Sequence, residues 1–567
     1  MLTRRDFIRS TLLTSGSLLL TSCSRLTRLP GQFGENAARG DLPIDHRFNE
    51  SIAPRHYFGP NPHAAHPHLW GRTQKISPSA PDRLPLPTPA HTVIHKGPLI
   101  IGGGISGLTS AYYLREKNPL VLEASTHLGG NSQGQEWMGV HYSIGAAYFV
   151  VPEPGDTVHS LITDLNLMHE IRTPEHEDMF AEGANLRKGL WEGGGERYGD
   201  EWQKVLKLQK YLSALVEDEA PHRFPDIPLN DPEIRAYVNE LDTVSFAEHL
   251  KSIIEGELPY PLSQAVEQYC WSAFGASSNE ISAASGLNFF ASEGAEIAAL
   301  PGGNSRVAER LCEEIIKSCG DDSLRSNILV LNVRATENGV EVLTMGPTGE
   351  VQQILAPAAI VACPKFVAKK IVEGCTPKQY EAMHRLKYRA YLTANVVVKG
   401  APSFEFYDLF LLEQGEGKGN LNPQSSLADL GATDAILANW ALGAEKSSQF
   451  SVLTLYRALP FDGGRVQILA DESYEATRKA FEKQIYDELL PLFGLPKDCV
   501  TDLRITRWGH ALPVAATGLI AAGIPELLKT PVGGRIFFAQ QDNWALPAFE
   551  VAVAEARDAA DGVLDVL

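Results

Sequence analysis

Six residues, Gly102-Gly103-Gly104-Ile105-Ser106-Gly107, constrain what this chain can fold into more than any other stretch. Apolar Val93-Ile94 and Leu99-Ile100-Ile101 read as a buried strand running into the glycines. Leu108 to Arg115 reads as a helix, and Pro119 to Glu123 as a second strand. In such a strand–turn–helix–strand unit each residue has a task. Gly102 permits the tight turn, Gly104 lets a pyrophosphate approach the backbone, and Gly107 lets helix and strand pack closely. Ile105 and Ser106 open the helix, whose positive N-terminal end faces the phosphates. Glu123 follows about twenty residues on, where an acid accepts hydrogen bonds from a ribose. A glycine-rich turn without a nucleotide is the plain alternative, and the flanking strand and helix argue against it. The loop alone leaves NAD and FAD both open.

The 567 residues exceed one ordinary core, so two or more domains are expected. Hydrophobic content of 44% and charged content of 21% are those of a soluble globular protein. A net charge of −19 repels phosphate backbones and argues against nucleic-acid binding. It also suits a cationic substrate, although solubility is the plainer reading. The chain opens Thr3-Arg4-Arg5-Asp6-Phe7 before an uncharged run from Ser10 to Ser22, the pattern of a twin-arginine signal. That run is shorter than the roughly 20 apolar residues that span a bilayer. Leu20-Thr21-Ser22-Cys23 resembles a bacterial lipobox, which makes residues 1–23 a signal and Cys23 a lipidated N-terminus at a periplasmic membrane face. Residues 24–91 are rich in Pro, His and Gly and read as a linker or wrapping arm. The Pro-rich setting favours a plain linker over a metal site at His56, His63, His66 and His68, and no metal is expected. The six cysteines after Cys23 are scattered, not a disulfide framework.

Further motifs recur in a recognisable order. Glu123-Ala124 leads to Gly129-Gly130-Asn131, then Tyr142-Ser143-Ile144-Gly145-Ala146, Leu300-Pro301-Gly302-Gly303, Ala362-Cys363-Pro364, Phe538-Ala539-Gln540-Gln541-Asp542 and Phe549-Glu550-Val551-Ala552. Together they resemble the flavin-containing amine oxidase superfamily, which also includes protoporphyrinogen oxidases and phytoene desaturases. The resemblance runs from about Val93 to Leu567. It implies FAD, held in a discontinuous Rossmann-type domain with an inserted α+β substrate domain. The FAD-binding segments are 92–154, 296–375 and 530–567, and the substrate segments 155–295 and 376–529. It places Gly129, Gly130 and Asn131 at the phosphates, Gly145 and Ala146 near the isoalloxazine, and Val333 at the adenine. Asp542 bonds the ribityl chain, and Phe549 and Glu550 begin a helix aimed at the flavin. It implies hydride transfer from an organic substrate to the flavin, with the protein positioning the substrate and excluding water.

The resemblance weakens around the substrate. Thr393 stands where amine oxidases carry a lysine, with Lys387 about 20 Å along the strand at ~3.3 Å per residue. That puts the usual lysine-bound water, and fast reaction with oxygen, in question. No cysteine follows Cys499, so a C-terminal cysteinyl flavin link is excluded and non-covalent FAD is expected. Ala548 replaces one wall of the family's aromatic cage, with Trp544, Trp508 or Tyr148 as candidate replacements. Trp508-Gly509-His510-Ala511-Leu512-Pro513 resembles a stretch beside the active site, so Trp508 and His510 are expected to line the substrate cavity; core packing is the alternative. The leading reading is an FAD-dependent oxidoreductase acting on a small-molecule amine. A desaturase or dehydrogenase of an apolar non-amine substrate comes second. A non-catalytic flavin-binding lipoprotein acting through a protein partner comes third. The electron acceptor is not legible.

Overall fold

The computed structural model describes residues 86–567 apart from 175–178, 184, 192, 218–222, 229–231, 294–295, 413–430 and 444–448. Before residue 86 it describes 43–45, 57–58, 66–69, 76–77 and 80–81. Residues 1–23, and with them the signal and Cys23, lie outside the described residues, as do His56 and His63. No described helix is long and apolar enough to cross a membrane, and no cluster of metal-ligating side chains occurs among the described residues.

A five-stranded parallel sheet carries the nucleotide loop, in the order Leu324–Arg325, Leu120–Leu122, Leu99–Ile101, Ala359–Val361, Ile536–Phe538. Its strands are short, apolar runs buried on both faces, as a parallel sheet between helices requires. The helices Ile105–Tyr113, Ser305–Cys319 and Phe549–Leu564 cover one face through an aliphatic cluster that includes Leu108, Leu311 and Val553. Val93 and Ile94 do not extend the strand Leu99–Ile101. They belong to His91–Ile94, an exposed edge strand that pairs with Val351–Ala356 in a separate four-stranded sheet. The run had looked buried because periodicity reports apolar residues, not which sheet accepts them.

A seven-stranded sheet roofs the cavity, in the order Asn185–Lys188, Met179–Glu182, Asp408–Leu412, Asp434–Leu437, Phe450–Leu459, Tyr388–Lys399, Val500–Pro513. Period-two alternation divides its faces. Leu392, Ala394, Leu453, Leu455 and Ile505 pack with the helix Tyr474–Gln484. Tyr391, Tyr456 and Trp508 face the flavin-type domain instead. That helix continues through wider turns at Ile485–Leu489 before Pro491, which has no N–H to donate. The first substrate segment, 155–295, holds the helices Trp202–Val216, Pro232–Asp242, Phe246–Ile254, Leu262–Phe274 and Ala283–Glu293 around one core. It also holds the hairpin Met179–Glu182 and Asn185–Lys188, which joins the large sheet by parallel pairing to Asp408–Leu412.

Candidate active site and cofactor cavity

The loop and the paired glycines interlock backbone to backbone. The N–H of Gly129 donates to Gly103 O at 2.7 Å, and a Cβ on Gly130 would lie 2.9 Å from the Cα of Gly104. Gly102 has φ +110°, and a Cβ on Gly107 would lie 1.9 Å from Gly102 O. Only glycine lets the chain approach itself this closely at these points. The helix Ile105–Tyr113 starts at Gly104 with no side-chain cap, so its N-terminal N–H groups are left for a ligand. Glu123 is fixed at 2.7 Å by the N–H of Gly103 and at 2.7 Å by the N–H of Ser125.

These elements open into a cavity of about 1830 Å³ that runs from Glu123 and Ala124 to Trp508. Pockets for one small molecule span roughly 300–1,000 Å³, so a dinucleotide and a substrate fit together. Gly102, Gly104, Ile105, Ser106, Glu123, Ala124, Gly129, Gly130, Asn131, Gly145, Ala146, Asp542 and Phe549 all line it. Gly107 lies behind the wall and serves packing. Asp542 is buried, with Oδ2 accepting from Lys365 N at 2.8 Å and from the Tyr388 hydroxyl, while Oδ1 has no partner within the protein. A buried carboxylate oxygen left open on a cavity wall fits a ribityl hydroxyl. Burial raises its pKa. The uncapped N-termini of Ile105–Tyr113 and Phe549–Leu564, the glycine cradle, Glu123 and Asp542 thus make a donor and acceptor set that fits FAD.

Two cofactor expectations are corrected. Val333 does not meet the cavity. Asn327, Ile328, Leu329 and Val330 form that wall, while Val333 is fully buried and its carbonyl accepts from Glu373 N at 2.9 Å. A bulge between Val330 and Asn332 shifts the register, which a linear match does not see. Glu550 also does not line the cavity; its carboxylate accepts from Val150 N at 2.7 Å and holds that strand against the final helix. Phe549 makes the wall there, stacked on Phe149 at 4.8 Å.

At the substrate end, Trp508 and His510 line the cavity. Trp508 Nε1 donates to Ile144 O at 2.9 Å, which sets its ring beside Gly145. His510 stacks on Phe366 at 3.9 Å and meets Tyr388 edge-on at 5.8 Å. Thr393 lines the cavity, buried, with no partner for Oγ1. Lys387 is at the surface beside Asp462, 3.7 Å away. Trp544 is corrected to a core residue. It lies away from the cavity wall, and its Nε1 donates to Glu555 Oε1 at 2.6 Å, a partner on the final helix eleven residues later in sequence.

The residues that sequence reasoning missed are Asp434, Tyr391, Tyr456 and Ser272. Tyr391 shares the face of Thr393 two residues earlier, a period-two signal that was available. Asp434 had no motif to mark it. It is 3% exposed and lines the cavity, and Oδ1 accepts from Ser272 Oγ at 2.7 Å and Thr433 Oγ1 at 2.5 Å. Burial pushes its carboxyl up to about 6. Tyr391 and Tyr456 meet edge-on at 5.9 Å, and the Tyr456 hydroxyl donates to Gly145 O at 2.6 Å.

The profile of the flavin containing amine oxidoreductase family matches residues 105–563. The chain belongs to that family. It is therefore an FAD-dependent oxidoreductase. Oxidoreductase PigB of Serratia sp. (strain ATCC 39006) is 24% identical over 537 residues, covering 84% of this chain and 77% of that protein. Wild-type putrescine oxidase bound to putrescine is 17% identical, with TM-score 0.59 over 84% of this chain and all of that one (100%). Cyclohexylamine oxidase from Brevibacterium oxydans IH-35A is 17% identical, with TM-score 0.57 over 83% of this chain and 99% of that one. A fatty acid isomerase from P. acnes is 15% identical, with TM-score 0.58 over 82% of this chain and 97% of that one. These likenesses show a shared fold.

Proposed function

We propose that the protein oxidises a small-molecule amine, passing a hydride to non-covalently held FAD. The observation that carries this reading is Asp434: a buried carboxylate on the wall of the flavin cavity, among Tyr391, Tyr456 and Trp508. An ammonium group finds there a counter-charge and the negative faces of aromatic rings. The printed names of two structural neighbours, putrescine oxidase and cyclohexylamine oxidase, point the same way. When bound, the flavin supplies the hydride acceptor. The protein's own part is positioning. Asp434 draws the substrate nitrogen to one side, Trp508 and Tyr456 flank the gap next to Gly145, and the large sheet closes water out. Non-covalent attachment is supported by Cys363, a cysteine on the cavity wall. Burial pushes its thiol up to about 12, so it is protonated and a poor nucleophile.

The test is anaerobic mixing with a panel of amines, followed by bleaching of the flavin band. Bleaching by at least one amine is expected, and no bleaching by any amine overturns the reading. Acid precipitation should leave the flavin in the supernatant.

A second reading has its own support. Thr393 fills the position where the family's amine oxidases carry a lysine, and Ala548 lines no aromatic cage. Both favour a dehydrogenase or desaturase of an apolar substrate. We also propose export and lipid anchoring, carried by Arg4-Arg5 and Leu20–Cys23. Replacing Arg4-Arg5 by Lys-Lys should hold the protein in the cytoplasm, and Cys23→Ala should abolish palmitate labelling.

A further inference from the structure

The stretch that precedes the family's matched region enters the cofactor site. Ile44–Asp45 pairs in parallel with Gly134–Gln135 and forms the outer strand of a three-stranded sheet with Val140–Ser143. The N–H of Gly134 donates to Pro43 O at 2.8 Å. Pro43 reaches the paired glycines, its Cβ 3.1 Å from where a Cβ on Gly129 would stand. Ile44 is 2% exposed, and its Cδ1 lies 3.5 Å from the corresponding point on Gly302. Asp45 lies 3.6 Å from His127 Nε2. Three residues thus touch two separate cofactor segments, 127–134 and 302–305, and Pro43 and Asp45 themselves line the cavity.

The same arm is fastened again at Tyr57–Phe58. Phe58 N donates to Ile505 O at 2.9 Å, and Arg507 N donates to Phe58 O at 3.2 Å. The Tyr57 hydroxyl lies 2.9 Å from Ser473 Oγ and 2.7 Å from Thr477 Oγ1, with the Arg507 guanidinium over its ring at 4.8 Å. Both residues line the cavity at the strand Val500–Pro513. The arm is therefore anchored on the nucleotide side at one end and on the large sheet at the other.

We propose that Pro43–Asp45 is part of the FAD site and acts as a clamp that slows release of the cofactor. Pro43 stands beside the paired glycines on the cavity wall, where they would hold a flavin pyrophosphate, so parting the segment 127–134 from the arm would loosen that hold. The physical prediction is mutual. FAD orders the pairing of Ile44–Asp45 with Gly134–Gln135, and that pairing retains FAD.

Two measurements on the full chain decide it. In Ile44→Glu, a carboxylate replaces a side chain buried against Gly302. FAD release, followed by the rise of free-flavin fluorescence after dilution, should be faster by about tenfold or more. A folded variant that keeps FAD as long as the parent overturns the proposal. In the unmodified protein, amide exchange at Ile44, Asp45 and Gly134 should slow by about tenfold when FAD is restored to the stripped chain. Equal exchange in both forms overturns the proposal independently, even if the variant fails to fold.

Discussion

Asp434 shows how one buried side chain couples recognition to stability. Its carboxyl sits near 6, raised by burial and held by two hydroxyls. The ionised form meets an ammonium, so kcat/KM for an amine should rise as pH climbs through about 6. The stability effect has the opposite sign. Because the folded chain keeps this proton where the unfolded chain has lost it, stability falls as pH rises from the ordinary carboxylate range to about 6. Asp434→Asn keeps an acceptor for Ser272 and Thr433. It should raise Tm at pH 7.5, with the gain shrinking toward pH 5, while kcat/KM for the amine falls about 100-fold, as expected for removing one partner of a buried ion pair. Thermal scans at both pH values and stopped-flow reduction check the two halves. At the cofactor end, Asp542→Ala removes the acceptor of Lys365 N and of the Tyr388 hydroxyl along with the open Oδ1. Its Kd for FAD, from fluorescence titration, should rise about 10- to 100-fold, the worth of a hydrogen bond to a charged group. Asp542 was legible because a motif frames it. Asp434 was not, because its role comes from neighbours at Ser272 and Tyr391 that only the fold brings near. Trp544 was misread for the same reason: its partner Glu555 lies on the next helix.

At the level of elements, the nucleotide loop was readable because its constraints are local. Gly107 packs on Gly102 within one strand–turn–helix unit, and the positive φ of Gly102 belongs to the turn itself, although Gly102 and Gly104 also abut Ala362 and Gly130. Gly107→Ala is the sharpest test. The new methyl would meet Gly102 O at 1.9 Å, and both partners are backbone in a buried unit. A loss of about 3 kcal/mol is expected, with flavin content falling alongside, measured by denaturant unfolding and by the absorbance ratio of flavin to protein. The substrate sheet was less readable. Tyr388–Lys399 is buried along nearly its whole length on both faces, so hydrophobicity alone does not say which residues face the cavity and which the helix Tyr474–Gln484. The bulge beside Val330 had the same effect at the adenine end, where it moved the wall away from Val333. Pattern reports that a strand exists, while bulges and partners decide its faces.

Across the whole molecule, Thr393 sets an expectation about turnover. Lys387 is ion-paired at the surface, and among the described residues no lysine lines the cavity wall, where the neutral Thr393 stands. Steady-state turnover with a soluble redox dye should exceed that in air-saturated buffer by about tenfold, or ~1.4 kcal/mol of barrier. An oxygen electrode run beside a dye assay checks this. That the nucleotide sheet draws strands from both ends of the chain was legible from motifs, whereas the places where the arm docks, at 43–45 and 57–58, were not, because a Pro- and His-rich stretch carries no period. The parallel sheet itself has one more consequence, for biogenesis. Its central strand is Leu99–Ile101, its last strand is Ile536–Phe538, and Asp542 and the helix Phe549–Leu564 come later still. A chain emerging from the ribosome can make the glycine loop early, but it cannot complete the sheet until synthesis is essentially over. The cofactor cavity is therefore complete only once the last residues of the chain have been made. A chain cut before Asp542 lacks that carboxylate and the final helix, so the flavin content of such truncations should fall, and a filled site then certifies that the whole polypeptide was made.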